Sequence, residues 1–232
     1  MTRMHISREE RKDIIIKSAK RLIVEQGIIS FKFSELSKVS ACSNSTIYDF
    51  FNSKEDVIVA IFNENLQTLI SKNKLLLENK KITYKEKLFI ASSQELLSSD
   101  FREHHNQICN FFAINQFVCD HADPYISSES CRNLKKLIKQ SNTILTLAIS
   151  SGELAYCSEE SLHIFQVKLL STYRGLVALT MNKFKEELEW NVNENLIFNI
   201  IASDIESMPW NNKEPLSLSK INTEIIKMKN KV

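Results

Sequence analysis

Apolar residues recur at intervals of three and four positions along most of the chain, which is the spacing of one buried face of an α-helix. In the first such segment, Ile15, Ala19, Leu22 and Ile23 form the apolar stripe, and Gly27 marks its end. The pattern predicts nine helices, at about residues 7–26, 34–40, 44–50, 54–79, 83–99, 102–121, 127–151, 158–185 and 193–207. No segment predicts a strand with the same clarity, so the expected fold class is all-α.

The predicted helices divide into a small head and a larger body. The first three lie within residues 1–53, and the long fourth helix carries the chain into a helical body that extends to residue 209. Residues 210–232 are polar and rich in lysine after Pro215, which indicates either a weak extra helix or a mobile tail. We expect the head and the body to have different roles.

The segment from Phe33 to Val57 is the most informative part of the head. It contains two short helices separated by a tight turn, each with a single apolar stripe, and the two stripes are buried only if the helices cross. The inward-facing positions are Leu36 and Val39 in the first helix and Ile47, Phe50 and Phe51 in the second, with Cys42 at the corner. This arrangement predicts a helix-turn-helix.

Small polar side chains dominate the other face of the second helix. Asn44, Ser45, Thr46 and Tyr48 are poor core residues, but hydroxyl and amide groups on a short helix can approach phosphates and base edges. Ser43 is placed to cap this helix. Ser53 and Asp56 have the spacing of a capping box at the start of the next helix, beside Lys54. The polar face therefore predicts DNA binding.

At these positions the chain resembles the TetR family of bacterial transcriptional regulators, whose pattern runs roughly IA…AGVS-x-GTLYxxFxSKExL. The segment L-S-K-V-S-A-C-S-N-S-T-I-Y-D-F-F-N-S-K-E-D-V, residues 36–57, lies over it without a gap. The matching positions are Leu36, Ser43, Thr46, Ile47, Tyr48, Phe51, Ser53, Lys54 and Glu55. Ala41 and Ser45 replace glycines of the pattern, and Lys32 replaces a small hydroxyl residue. A left-handed backbone at Ala41 would cost roughly 1–2 kcal/mol.

The resemblance implies a DNA-binding head joined to a helical domain that dimerises and binds an effector. In the family, residues at the positions of Thr46, Tyr48 and Lys54 commonly touch the DNA backbone. With the polar face, the expected DNA-binding set is Lys32, Ser43, Asn44, Ser45, Thr46, Tyr48, Asp49 and Lys54. The implied function is that of a ligand-responsive repressor that binds a palindromic operator as a homodimer. The resemblance implies no enzyme activity and no cofactor.

Charge and composition agree with binding at one end of the molecule. The net charge is only +2, but residues 1–54 contain ten Lys and Arg against six Asp and Glu. Glycine and proline together occupy six positions, which disfavours turn-rich β-architecture. Five cysteines without a C-x-x-C spacing indicate reduced thiols in a cytoplasmic protein. No apolar run is long enough to predict a membrane-spanning helix.

Two sites in the body are expected from clusters of apolar residues. Aromatic and histidine side chains of the central helices suggest a pocket for an apolar effector, with Phe89, His105, Phe111, Phe112, Phe117 and Tyr125 as candidates. Small and apolar residues of the last two strong helices suggest the dimer interface, with Leu169, Gly175, Leu176, Leu179, Leu196, Ile197, Ile200 and Ile201 as candidates. Ordinary intrachain core remains the alternative interpretation for both sets.

Other kinds of site find little support in the sequence. Glu160 and His163 form one E-x-x-H unit, whereas di-iron bundles use two. His105 and Cys109 lie one turn apart but lack the grouping of a structural metal site. The main alternative to a regulator is a helical small-molecule-binding or scaffold protein that no longer binds specific DNA, an idea favoured only by Ala41 and Ser45.

Overall fold

The computed structural model describes residues 6–98 and 104–231, and side chains at 98 and 104–107 are not described. Within those ranges the chain forms eleven α-helices and a short 3-10 turn at Phe33–Glu35. The helices are α1 Arg8–Gln26, α2 Leu36–Ser40, α3 Asn44–Tyr48, α4 Lys54–Glu78, α5 Tyr84–Ser98, α6 His104–Ala113, α7 Gln116–His121, α8 Pro124–Ser150, α9 Glu159–Thr180, α10 Glu194–Glu206 and α11 Leu218–Lys229. The all-α prediction is confirmed. None of the described helices is long and apolar enough to cross a membrane.

Three helix predictions differ from the structure. The segment expected as one helix over 102–121 is two, because the Asn115 side chain accepts a hydrogen bond from the Phe117 N–H and starts α7. Helix α8 begins at Pro124, three residues before the predicted start at 127, which suits proline because the first helical N–H has no intrahelical partner. The helix expected to extend to about residue 185 ends at Thr180.

Two compact units make up the chain, and α4 runs through both. Unit 1 comprises Met1–Gln67 and Phe101–Asn133. Its α1 buries the expected stripe at Ile15, Ala19, Leu22 and Ile23, together with Ile16, and packs against α2 and α6. Lys20 of α1 forms an ion pair of 2.8 Å with Glu64 of α4. The helix-turn-helix thus folds on a larger helical base within the same unit.

Unit 2 comprises Thr68–Asp100 and Leu134–Val232 and is organised around α5, which packs on α9, α10 and α11. The Phe89 ring of α5 lies 5.1 Å from that of Phe198 on α10. The Tyr173 hydroxyl of α9 donates to Glu95 at 2.7 Å, and burial together with this carboxylate raises the pKa of Tyr173. The interior of unit 2 therefore contains polar contacts as well as apolar packing.

The C-terminal segment is ordered structure in unit 2. Trp210 is buried, and its Nε1 donates to the Ile205 carbonyl at 2.7 Å. Helix α11 buries Ile221, Ile225 and Met228, which explains why a segment that is polar on average still packs. Of the two expectations for this region, an extra helix is confirmed.

Candidate functional site

The polar residues of α3 are arranged around the hydroxyl of Ser43. Ser43 Oγ accepts from the Thr46 N–H at 3.1 Å, so the predicted N-cap is confirmed. The same oxygen lies 2.8 Å from the hydroxyl oxygens of both Ser45 and Thr46. Ser43, Asn44, Ser45 and Asp49 are exposed, and Ile47 is buried beneath them. The contacts hold a hydroxyl-rich surface in one arrangement before any partner binds.

The turn between α2 and α3 has the left-handed backbone expected where the TetR pattern has glycine. Ala41 adopts φ 54° and ψ 24°. Ser40 stabilises the turn, because its hydroxyl donates to the Leu36 carbonyl at 2.6 Å and accepts from the Cys42 N–H at 3.3 Å. The departure from glycine is accommodated without loss of the helix-turn-helix geometry.

Tyr48 is packed on one side and accessible on the other. Its ring packs edge-on against Phe33, with ring centroids 5.6 Å apart, so that one side is anchored on unit 1. The residue is nevertheless 56% exposed. A fixed ring with an accessible face suits a side chain that contacts DNA from a known position.

Arg8 of α1 contacts the residues that directly follow α3. The Arg8 guanidinium lies 5.2 Å from the centre of the Phe50 ring, and its Nη2 donates to the Asp49 carbonyl at 3.4 Å. Lys32 is exposed just before the 3-10 turn that leads into α2. No sequence signal marked Arg8, because Glu9 and Glu10 stand beside it in the first turn of α1.

Lys54 is engaged by its own chain. Its Nζ donates to the Ile29 carbonyl at 2.6 Å and lies 4.8 Å from the centre of the Phe31 ring. Burial lowers the pKa of Lys54, and the neighbouring Glu55 carboxylate acts in the opposite direction. The ammonium therefore fixes the loop after α1, and its contact with DNA stays a prediction.

The capping box at the start of α4 is confirmed. The Asp56 N–H donates to Ser53 Oγ at 3.0 Å, and Asp56 Oδ2 accepts from the N–H groups of Ser53 and Asn52 at 3.2 and 2.7 Å. Asp56 Oδ1 accepts from the Asp123 N–H at 2.6 Å. The carboxylate is buried, and it ties the first turn of α4 to the loop before α8.

The six effector-pocket candidates fall in both units. Phe89 belongs to unit 2, whereas Phe111 and Phe112 pack edge to face at 5.8 Å in unit 1. Phe117 is 76% exposed and stacks on His121, and Tyr125 is 72% exposed. The side chain of His105 lies outside the described residues. Their role in effector binding stays a prediction.

The dimer-interface candidates fall into three groups by exposure in the single chain. Leu176, Ile197 and Ile201 are buried, and Leu169, Leu179 and Ile200 are half-buried, whereas Gly175 and Leu196 are exposed. Sequence reasoning missed a second apolar row on α9. Ile164, Val167 and Leu170 are each at least half exposed and follow the spacing of one helix face. The spacing of these three residues can be read from the sequence, whereas their exposure is known only from the structure.

The part of the chain that the structure describes contains no group of three or more His, Cys, Asp and Glu side chains able to hold a metal ion. All five cysteines are free thiols. Burial raises the pKa of Cys109 to about 12, so this thiol is protonated at neutral pH. The best-defined constellation is therefore the polar surface of the helix-turn-helix.

Comparison with known proteins points to the same surface. Residues 15–61 match the family model described as bacterial regulatory proteins, tetR family. A curated relative, the fatty acid metabolism regulator protein of Bacillus subtilis, is 28% identical over 142 residues, which is 60% of this chain and 69% of the relative. These relatives are regulatory proteins, in agreement with the expectation that the chain is not an enzyme.

Solved structures show the same fold. The regulator FadR from Bacillus subtilis, crystallised with stearoyl-CoA, matches with a TM-score of 0.60 and 22% identity, over 83% of this chain and 98% of that one. FadR from Bacillus halodurans matches with a TM-score of 0.59 and 18% identity, over 85% and 99% of the two chains. Residues 15–61 therefore match the tetR family of bacterial regulatory proteins, and most of the chain shares its fold with these solved regulators.

Proposed function

We propose that this protein is a transcriptional repressor that binds a palindromic operator as a homodimer and loses affinity for it when an effector binds. In this proposal residues 1–53 read the DNA, and residues 54–209 dimerise and bind the effector. The observation that carries it is the exposed hydroxyl surface of α3, fixed by Ser43 inside the segment that matches the family model. A chromosomal operator implies that the protein works in the cytoplasm.

The chemistry of the α3 surface supports contact with both phosphates and bases. Hydroxyl groups and backbone N–H groups bind phosphate oxygens and fix the register, whereas Asn44 has the amide that pairs well with adenine. Arg8, beside the end of α3, and the exposed Lys32 add positive charge to the head. Because the hydroxyls are already ordered, little conformational entropy remains to be lost on binding.

Dimerisation is supported by the apolar side chains left on the surface. Ile164, Val167 and Leu170 of α9 and Leu196 of α10 are between 40% and 60% exposed in the single chain. Gly175 on α9 lets a second helix approach closely, because no heavy atom apart from its chain neighbours and the nearby backbone of its own helix lies within 4 Å of the position where a Cβ would stand. A two-fold interface would cover this row and set two recognition helices at the fixed separation that a palindrome requires.

The names of the relatives suggest the class of effector. One relative is a fatty acid metabolism regulator, and a second was crystallised with stearoyl-CoA. We infer that this protein responds to a long-chain fatty acyl thioester, which agrees with the apolar effector expected from the sequence. Its binding to unit 2 would release DNA by favouring a conformation unsuited to the operator.

The direct test is a gel shift with the full chain and palindromic segments from the region of its own gene, at several salt concentrations. Lys32→Gln should weaken binding to every sequence and reduce the salt slope by about one. Asn44→Ala should lower the preference for the operator by roughly 5- to 100-fold. Tyr156→Ala serves as the control, because Tyr156 is 84% exposed and lies outside the head.

Separate measurements test the two remaining parts of the proposal. Sedimentation should show a dimer, and Leu170→Glu should shift it to the monomer without unfolding it. Stearoyl-CoA should release the operator from the unmodified protein at micromolar concentrations, whereas coenzyme A alone should not. Equal affinity for specific and random DNA would contradict the proposal and favour a helical small-molecule-binding protein.

A further inference from the structure

Three buried amide atoms of unit 2 have no hydrogen-bond partner within the part of the chain that is described. They are Asn73 Nδ2, Gln94 Oε1 and Gln140 Oε1. Buried polar groups in proteins are almost always paired with protein or water, so each unpaired group calls for an explanation. All three lie on helices of unit 2, namely α4, α5 and α8.

The three side chains reach the same part of α4. Gln94 Nε2 of α5 donates to Asn73 Oδ1 at 2.9 Å, and Asn73 is fully buried while Gln94 is 3% exposed. Gln140 Nε2 of α8 donates at 3.0 Å to the carbonyl of Ile70, one helical turn before Asn73. One N–H donor and two carbonyl acceptors are therefore left over along a single turn of α4.

This inventory does not depend on how the amides are oriented. If the oxygen and nitrogen of Asn73 and Gln94 were both exchanged, the pair would still form one hydrogen bond and leave one donor and one acceptor. Gln140 must present its nitrogen to the Ile70 carbonyl, so its oxygen is the atom that remains. In either orientation of the amides, a ligand that pairs with all three atoms must supply one acceptor and two N–H donors.

Unit 1 shows that unpaired amides are not a general property of this chain. Asn133 Nδ2 donates to Asn63 Oδ1 at 2.6 Å, and Asn65 Nδ2 donates to Asn110 Oδ1 at 2.8 Å. Neither pair leaves a buried atom unpartnered among the described residues. In unit 2, fully buried apolar residues stand one helical turn from two of the amides, namely Ile90 before Gln94 on α5 and Ile144 after Gln140 on α8.

We propose that these amides bind the neutral polar group of an apolar ligand, and that a carboxamide is the group they fit. A carboxamide supplies one acceptor for Asn73 and two N–H donors for the glutamine oxygens. A carboxylate supplies only acceptors, and it would bring a negative charge against two carbonyl oxygens in a poorly solvated interior. This inference rests on the proposed role of unit 2 in effector binding, and it adds the polar chemistry that selects the ligand.

The effector class proposed above meets this requirement. A fatty acyl thioester of coenzyme A carries two secondary amides in the arm next to its thioester, and together they supply the two N–H donors that a primary carboxamide supplies alone, with a carbonyl acceptor on each. A free fatty acid has the same apolar chain but an ionised carboxylate at neutral pH. The site therefore distinguishes two molecules that apolar contacts alone would bind alike.

Calorimetry with decanamide and decanoate on the full chain tests the proposal. The unmodified protein should bind decanamide at least tenfold more tightly than decanoate, a difference of about 1.4 kcal/mol. In the double variant Asn73→Leu with Gln94→Leu, affinity for decanamide should fall about tenfold and affinity for decanoate should change less than threefold. Changing both residues together leaves neither amide without its partner.

The double variant Asn63→Leu with Asn133→Leu is the matched control, because it also replaces a buried amide pair but lies in unit 1. It should bind decanamide as the unmodified protein does. If the first variant fails to fold, Gln140→Met provides the test, with an expected loss of about threefold for decanamide.

Equal affinity for the two probes, no binding of decanamide, or an unchanged preference in the Asn73 and Gln94 variant would overturn the proposal. The amides would then hold buried water alone. Operator binding measured without ligand on the same samples keeps this result separate from the proposed function. Release of DNA by stearoyl-CoA with no effect of the amide variants would refute the inference and leave the regulator intact.

Discussion

The left-handed turn of the helix-turn-helix predicts that Ala41→Gly stabilises the protein. Ala41 has φ 54° and ψ 24°, where a Cβ costs roughly 1–2 kcal/mol. Glycine removes this cost but adds backbone freedom to the unfolded chain, which offsets about 0.4–1 kcal/mol. The free energy of unfolding should therefore rise by roughly 0.5–1 kcal/mol.

Urea-induced unfolding of the full chain, followed by circular dichroism at one protein concentration, measures this difference. With a slope of about 3 kcal/mol per molar urea, the midpoint should rise by roughly 0.2–0.3 M. Glu189→Gly is a matched variant, because Glu189 is the other described non-glycine residue with positive φ, also 54°. It should raise the midpoint in the same direction.

Ala91→Gly gives the opposite control. Ala91 lies inside α5, where glycine should lower the free energy of unfolding by about 1 kcal/mol. If Ala41→Gly lowers the midpoint as Ala91→Gly does, the backbone at Ala41 is not strained and the reasoning fails. If Glu189→Gly raises the unfolding midpoint and Ala41→Gly leaves it unchanged, contacts of the Ala41 methyl group offset the backbone strain.

Three further outcomes follow from buried or paired groups. Asp56→Asn should lower the free energy of unfolding by about 2–3 kcal/mol, because the Asp56 carboxylate accepts three backbone N–H groups. Chemical denaturation measures this loss, and a loss below about 1 kcal/mol would contradict the reasoning. Burial alone would raise the pKa of Glu86. Hydrogen bonds from Lys220 and Thr83, together with the positive charge of Lys220, lower the pKa by more, so that it lies below 4.5 in the folded chain. The resulting stabilisation is present above pH 4.5 and is lost as the pH falls through the folded pKa, so Glu86→Gln should flatten the acid side of a plot of unfolding midpoint against pH. Iodoacetamide at neutral pH should alkylate the exposed Cys131 and leave the buried Cys109 unmodified. Peptide mass spectrometry measures the labelling, and equal labelling of the two cysteines would contradict the burial of Cys109.

The head could be predicted closely because its signals are local. Ser43 caps α3, and Ser53 with Asp56 caps α4, through hydrogen bonds that span only three or four residues. The left-handed turn at Ala41 was expected because the TetR pattern, which the segment resembles, has glycine at this position. Such features depend on neighbouring residues, and the sequence lists those directly.

Features that depend on tertiary packing were predicted less well. Asn115 can continue a helix or cap one, and the periodicity of 102–121 did not distinguish the two. Helix α11 is polar on average, and only three buried residues reveal that it packs. On α9, apolar residues occur on more than one face, so the sequence did not show that Leu176 is buried while Leu170 is exposed.

The carboxylate of Asp56 also determines which fragments of this protein are worth making. A peptide that stops at residue 53 contains the helix-turn-helix but lacks Asp56, and with it the cap that closes the chain after α3. One that stops within α4 keeps the carboxylate but loses the Asp123 N–H that pairs with Oδ1, together with the face of α6 that packs on α1. A fragment for studying DNA recognition in isolation therefore needs the segment 104–133 as well as the head, although the two are distant in the chain.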